Sequence, residues 1–276
     1  MGLADLQDPF VRVLNHLENT LTASHIAAFP VLCWSPADDV SKVHEEIAKH
    51  RLDFSHVPIR DDKRHVRWIA RREDLNEKRG PLVDHAMPFN ERHVVDGSRP
   101  LRDTLLLLRD QGVLLVRSPE SGQPDGISGI INHADVQKTP VRLLLFTQIT
   151  EIEARLRNRL SREHWEEDPR CTEFVKDANS QRKDPEGRLP LINHLNPRQL
   201  MLLTRTCGIR LLSELSEDEF TNRSKELSVL RNVIAHTNDF GCSGETNPLD
   251  TIEAVNHAFG LVDATLGAVV RLGQTD

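Results

Sequence analysis

The chain has 276 residues, 38% of them apolar and 28% charged, with a formal net charge of −7 at pH 7. That balance excludes a disordered chain and a bulk basic surface, so contact with nucleic acid would require a local cationic patch. The length predicts two domains, each large enough to bury its own core.

In chain order, the opening residues MGLADLQDPF have neither the basic start nor the apolar core of a signal peptide. Leu6 also stands where a myristoylation signal carries Ser or Thr, so the expected location is cytoplasmic. No stretch reaches the roughly 18–20 apolar residues of a membrane span; the longest, LLLLRDQGVLLV, carries charges inside it. SPADDVSKVHEEIAKHRL reads as a helix started by Ser35-Pro36, with Val40, Val43 and Ile47 at helical spacing. SHVPI (55–59) and HVRWIA (65–70) follow as strands around the turn RDDKR, and REDL (72–75) begins another helix. The order then recurs: a helix in RPLRDTLLLLRDQG, a strand in GVLLV, a turn-rich loop in SPESGQPDG, a strand in GISGII and a helix start in HADV. This is an internal repeat of roughly 60 residues.

These residues resemble the paired cystathionine-β-synthase (CBS) domains, which bind adenine nucleotides in clefts between their two halves. The family pattern is a strand with Pro-Val or Pro-Ile, then Gly, two hydrophobic residues, Thr or Ser, and an Asp three positions on. GIINHADV supplies Gly129, Ile130, Ile131 and Asp135, with Asn132 at the hydroxyl position, where an amide still offers a donor and an acceptor. In the first half Pro58-Ile59 and Asp74 match, whereas Trp68 replaces the glycine and Arg71 the hydroxyl residue. The resemblance implies a regulatory adenine nucleotide (ATP, AMP or a related signalling nucleotide) contacted by Asp74, Asn132 and Asp135. A carboxylate can accept both ribose hydroxyls, and a helix N-terminus suits a phosphate. The alternative is a CBS pair that serves only as a dimerising scaffold.

The remainder reads as helical. Thr139-Pro140 starts a helix through PVRLLLFTQITEIEARLRNRLSREHW, with the stripe Leu145, Ile149, Ile152, Leu156 and Leu160. EEDPRCTEFVKDANSQRKDPEGRLP is polar and rich in Pro, Gly and Asp, which predicts a long connection with at most a turn or two of helix. Asn196-Pro197 caps a helix that stops at Gly208, and Ser216-Glu217-Asp218-Glu219 is a capping box opening a long helix through His236. Asn247-Pro248 caps the last helix, with apolar Ile252, Val255, Phe259, Val262, Leu266 and Val269. Four amphipathic helices predict a bundle.

On the helix through KELSVLRNVIAHTNDF, a turn of about 100° per residue groups Arg231, Asn232 and His236 on one arc whose other occupant is Ala235. Leu227, Leu230 and Ile234 fall on one flank and face the core, while Val229 and Val233 lie on the other and suit a partner subunit. The arrangement resembles the HEPN superfamily (higher eukaryotes and prokaryotes nucleotide-binding), helical bundles whose ribonuclease members carry Arg-[Asn/Asp/His]-x-x-x-His on the third main helix. The resemblance covers roughly 140–272 and implies a homodimer in which two motifs line one cleft and cut RNA without a metal. Arg231, Asn232 and His236 inherit the catalytic assignment. The chemistry agrees: attack by the 2′-hydroxyl needs proton transfer, which an imidazole supplies, and stabilisation of a crowded phosphate, which a guanidinium supplies. The competing assignment is a satisfied structural His and a helix-surface Arg.

Arg155, Arg159 and Arg162 form a stripe that could track an RNA backbone, or else pair with residues such as Glu151. The thirteen histidines form no HExxH or Cys/His cluster, and Cys33, Cys171, Cys207 and Cys242 form no C-x-x-C pair, so no metal is expected and the thiols are expected to be buried. The expected architecture is α+β and multidomain: an α/β CBS pair over 1–137, with repeats at about 31–80 and 88–137, then an all-α HEPN bundle over 138–276. The expected function is a nucleotide-regulated, metal-independent endoribonuclease of defence or stress response. Its alternative is a non-catalytic nucleotide-sensing adaptor whose bundle docks a partner protein.

Overall fold

Short apolar runs such as Val57-Pro58-Ile59 and Val113-Leu114-Leu115-Val116, each beside a turn-forming stretch, close as two β-hairpins built the same way. A computed structural model describes residues 16–17, 19–49, 55–182, 189–209, 211–235, 249 and 251–272. In the first hairpin β1 (His56–Arg60) pairs antiparallel with β2 (Val66–Arg71); Asp61 fixes the turn by accepting the backbone N–H groups of Lys63 and His65. Helix α1 (Val40–Lys49) buries Val40, Val43 and Ile47 against Val57, Ile59, Ala70 and Leu75. It starts later than Ser35-Pro36 suggests, because Asp39 accepts the N–H and hydroxyl of Ser41 and acts as the cap. The two-residue β3 (Met87–Pro88) adds to β2.

The second half repeats the plan. β4 (Val94–Asp96) runs parallel to β5 (Val113–Arg117), which pairs antiparallel with β6 (Ile127–Asn132). Helix α2 (Leu101–Gln111) joins β4 to β5 and ends at Gly112, whose φ of 77° is the left-handed conformation glycine adopts without a Cβ clash. Trp34 bridges parallel to Ile59 in the first half as β4 does to β5 in the second. Each repeat also lends its leading segment to the other: Ala28 and Val31 bond along β6, and Met87 pairs with Ile69 of β2. Between the hairpins Val66, Ile69, Val113, Leu115, Ile127 and Ile130 form one apolar cluster. REDL and HADV, expected as helix starts, close as short 3-10 turns, Glu73–Leu75 and His133–Gln137.

These elements form one structural unit, Glu18–Val141; the helices that follow form a second. α3 (Thr139–Leu160) buries Leu145, Ile149, Ile152, Leu156 and Leu160, and it stops short of the predicted end because residues 161–164 turn and Trp165 buries itself in a 3-10 turn. α4 (Thr172–Gln181) corrects the reading of that stretch as a connection: Asp168 caps the turn before it, and Ala178 is buried. α5 (Pro197–Thr206) carries the Asn196–Gln199 capping box. α6 (Glu217–Ala235) opens on the Ser216–Glu219 box, whose hydroxyl donates to the carboxylate at 2.7 Å. Arg205 of α5 lies 4.7 Å above the ring of the fully buried Phe220 of α6. α7 (Ile252–Leu272) completes the described helices; the Asn247-Pro248 cap lies outside the described residues.

Cys171 is buried, Cys33 and Cys207 are half-buried, and Cys242 lies outside the described residues. Burial pushes the Cys207 thiol up to about 12. Among the described residues no helix is long and apolar enough to cross a membrane.

Candidate functional site

Because the two hairpins point the same ends at each other, equivalent positions of both repeats meet in one cleft of about 660 Å³. Its walls include Ser55, His56, Arg71 and Arg72 from the first repeat and Asn132 and His133 from the second. Arg71 is the last residue of β2 and Asn132 the last of β6, so the repeat itself places them face to face. Arg71 makes a loose pair with Glu73 at 3.8 Å, both side chains being well exposed.

His56 opens onto this cleft and onto a smaller adjoining cavity that it shares with Arg71 and His93. Ser55 Oγ lies 2.9 Å from its Nδ1. Burial, and after it the positive fields of Arg71, His133 and His93, hold the imidazole down at about 4, against a smaller opposing pull from Asp74. The ring is therefore neutral at pH 7. Since the unfolded chain binds this proton at about 6.5, folding excludes it, and stability contributed above 6.5 is lost as pH falls toward 4. Thermal unfolding followed between pH 7 and 4 is expected to show a shallower acid decline for His56→Gln than for the wild type. Identical slopes would remove His56 from the account.

The sequence-derived contacts Asn132 and Asp135 are both buried, at the start of the His133–Gln137 turn. Asn132 Oδ1 accepts the N–H of Ala134 at 2.8 Å, and Asp135 Oδ2 accepts the N–H of Asn132 at 2.7 Å. The other Asp135 oxygen meets the Lys138 ammonium at 2.8 Å, and that ammonium also donates to the Ile26 carbonyl. Both carboxylate oxygens thus already serve the fold. Asp74 is exposed on the Glu73–Leu75 turn. Arg71, first seen as a departure from the family pattern, and its neighbour Arg72 are the cationic groups that sequence reasoning passed over. The signal was the pair of arginines at a strand end.

In the helical unit, Leu227, Leu230 and Ile234 are buried, Val229 is 46% exposed and Val233 half-buried. Arg231 Nε lies 3.5 Å from Glu153 of α3, whose other oxygen is 3.0 Å from Arg157. A carboxylate only 8% exposed therefore tethers the Arg231 head. Asn232 is exposed, and His236 lies outside the described residues. Of the predicted cationic stripe, Arg155 pairs with the buried Glu151 and Arg159 with Glu163, which offsets their charge; Arg162 continues the turn beyond α3. Among the described residues no three His, Cys, Asp or Glu side chains are grouped to hold a metal.

No family model matches the chain, and no curated protein matches it. Solved structures similar to it include CBS-domain proteins that match under half of the chain. CBSX2, known also from Arabidopsis thaliana, is in complex with AMP and is 17% identical over 42% of this chain and 92% of that one, at a TM-score of 0.35. A hemolysin-like protein of Oenococcus oeni PSU is 14% identical over 47% of this chain and 96% of that one, at 0.36. The CBS domain of a bacterial CNNM/CorC family Mg2+ transporter, in complex with ATP, is 16% identical over 46% of this chain and 91% of that one, at 0.36.

Proposed function

We propose that the cleft between the repeats binds an adenine nucleotide by its phosphates and that occupancy regulates the helical unit. The observation that carries this is the convergence of Arg71, Arg72, His56 and His133 on one open cleft of about 660 Å³. Guanidinium forks match phosphate oxygens, and Asn132 and His133 line the same cleft opposite them. Asn132, Asp135 and Asp74 then act as the frame of the cleft, with ribose contact by Asn132 or Asp74 as the remaining way for them to touch ligand. Only Lys138 separates the cleft-lining turn from α3, the helix that bears Glu153. A change in that turn therefore reaches the partner of Arg231 along one continuous helix.

We further propose that Arg231, Asn232 and His236 form a metal-independent RNA-cleaving site in a homodimer, with Val229 and Val233 toward the subunit contact and Arg155, Arg159 and Arg162 near the RNA path. In this reading Glu153 holds Arg231 ready for a phosphate. The tether also favours the second reading, a non-catalytic adaptor, because an arginine held by a buried carboxylate can serve the bundle alone. Incubating the purified protein with RNA in EDTA, with and without ATP, separates the two. Ribonuclease activity is expected to survive the chelator, leave 2′,3′-cyclic phosphate and 5′-hydroxyl ends, and vanish in a folded His236→Ala variant. Intact RNA under every condition, with ATP still bound, would leave the adaptor.

A further inference from the structure

We propose that the cleft takes up a proton when a phosphate-bearing ligand enters it, His56 becoming an imidazolium ion that pairs with the ligand's charge. The inference rests on the reading of this cleft as a phosphate site and goes beyond it, making occupancy depend on pH.

The geometry carries it. Among the described lining residues, four groups able to hold positive charge, His56, Arg71, Arg72 and His133, stand against the single carboxylate of Glu73. The charged and titratable groups acting on His56 are Arg71 from β2, His133 from the turn after β6, His93 from the Glu91–His93 turn and Asp74 from the turn after β2, while β3, the end of α2 and Val113 of β5 bring uncharged residues to its cavity. Three of those four are cationic or can become so. Without a ligand, the partial burial of the ring and after it these positive fields hold the imidazole below its ordinary value, so His56 stays neutral. A polyphosphate reverses the local field. It neutralises Arg71 and Arg72 and adds negative charge beside the ring, so the protonated imidazole becomes the favoured form. The Ser55 hydroxyl on Nδ1 suits both states, donating to the neutral ring and accepting from the protonated one. By linkage, whatever the ligand does to the proton the proton does to the ligand. Affinity should therefore rise as pH falls through the interval between the bound and free midpoints, by up to roughly tenfold per pH unit for one coupled proton.

The test is histidine-selective NMR of the full chain, titrated with pH in the absence and presence of saturating ATP, with inorganic tripolyphosphate as the arm that lacks a nucleoside. His56 is assigned by the loss of its resonance in His56→Gln. Should that variant fail to fold, Ser55→Ala identifies the same resonance by displacing it. The expected result is an upward move of the His56 midpoint by about one pH unit or more with either ligand. An unmoved midpoint while ATP is demonstrably bound overturns the proton coupling and leaves the phosphate site standing. Absence of binding by both ATP and tripolyphosphate overturns both.

Discussion

Replacing Arg71 and Arg72 together by alanine is expected to weaken ATP binding by about a hundredfold or more while the protein stays folded. Each guanidinium that gives charged hydrogen bonds to a phosphate contributes about 1.5–3 kcal/mol, and each 1.4 kcal/mol is about a factor of ten. The Arg71 change should cost little stability, because the Arg71–Glu73 pair is 3.8 Å long with side chains 51% and 74% exposed, the kind of surface pair worth under about 1 kcal/mol. Calorimetry on the double variant measures this directly. Binding that survives intact would move the phosphates away from the first repeat.

Asp135→Ala should behave in the opposite way, its principal effect falling on stability. Removing this carboxylate strands the buried N–H of Asn132 and takes away the partner of Lys138. An orphaned buried donor costs about 1–3 kcal/mol and the lost Lys138 pair adds up to about 1 kcal/mol, so a total of roughly 1–4 kcal/mol is expected. For a unit of this size that corresponds to a fall in melting temperature on the order of 10 °C. Asp135→Asn, which keeps one acceptor, should lose about half as much. A folded Asp135→Ala protein that melts like the wild type but no longer binds ATP would reassign this residue to direct ligand contact.

The contrast between these residues shows what the chain revealed and what it concealed. The hairpins were legible because Val57, Ile59, Ile69 and Ile130 recur at strand spacing around turn-forming residues, and the two capping boxes of α5 and α6 were legible because each is local. β3 and β4 were not, being two and three residues long and set by pairing with distant strands. α4 was missed because TEFVKDANSQ offers few apolar residues, so its helix depends on tertiary contacts that no local pattern reports. The spacing Asn132-x-x-Asp135 suits a ribose and a capping box alike, and only coordinates show both side chains bonded to backbone. The cationic cleft was hidden for a related reason: Arg71 and His133 are far apart in the chain and meet through the repeat.

The exchange of leading segments between the two halves bears on how the N-terminal unit tolerates being cut. Ala28 and Val31 occupy the outer rim of β6, and Met87 the outer rim of β2, so each hairpin's rim is finished by residues that precede the other hairpin's repeat. Gly129 is part of the fit, since a Cβ there would come within 2.6 Å of the Phe29 ring and lift the segment away. Either repeat expressed alone would present a naked strand edge, a template for aggregation or for capture of another copy's segment. The 60-odd residues of one repeat are thus half of an interlocked object, and a truncation starting after Trp34 should yield insoluble material or a segment-swapped dimer instead of a smaller soluble domain.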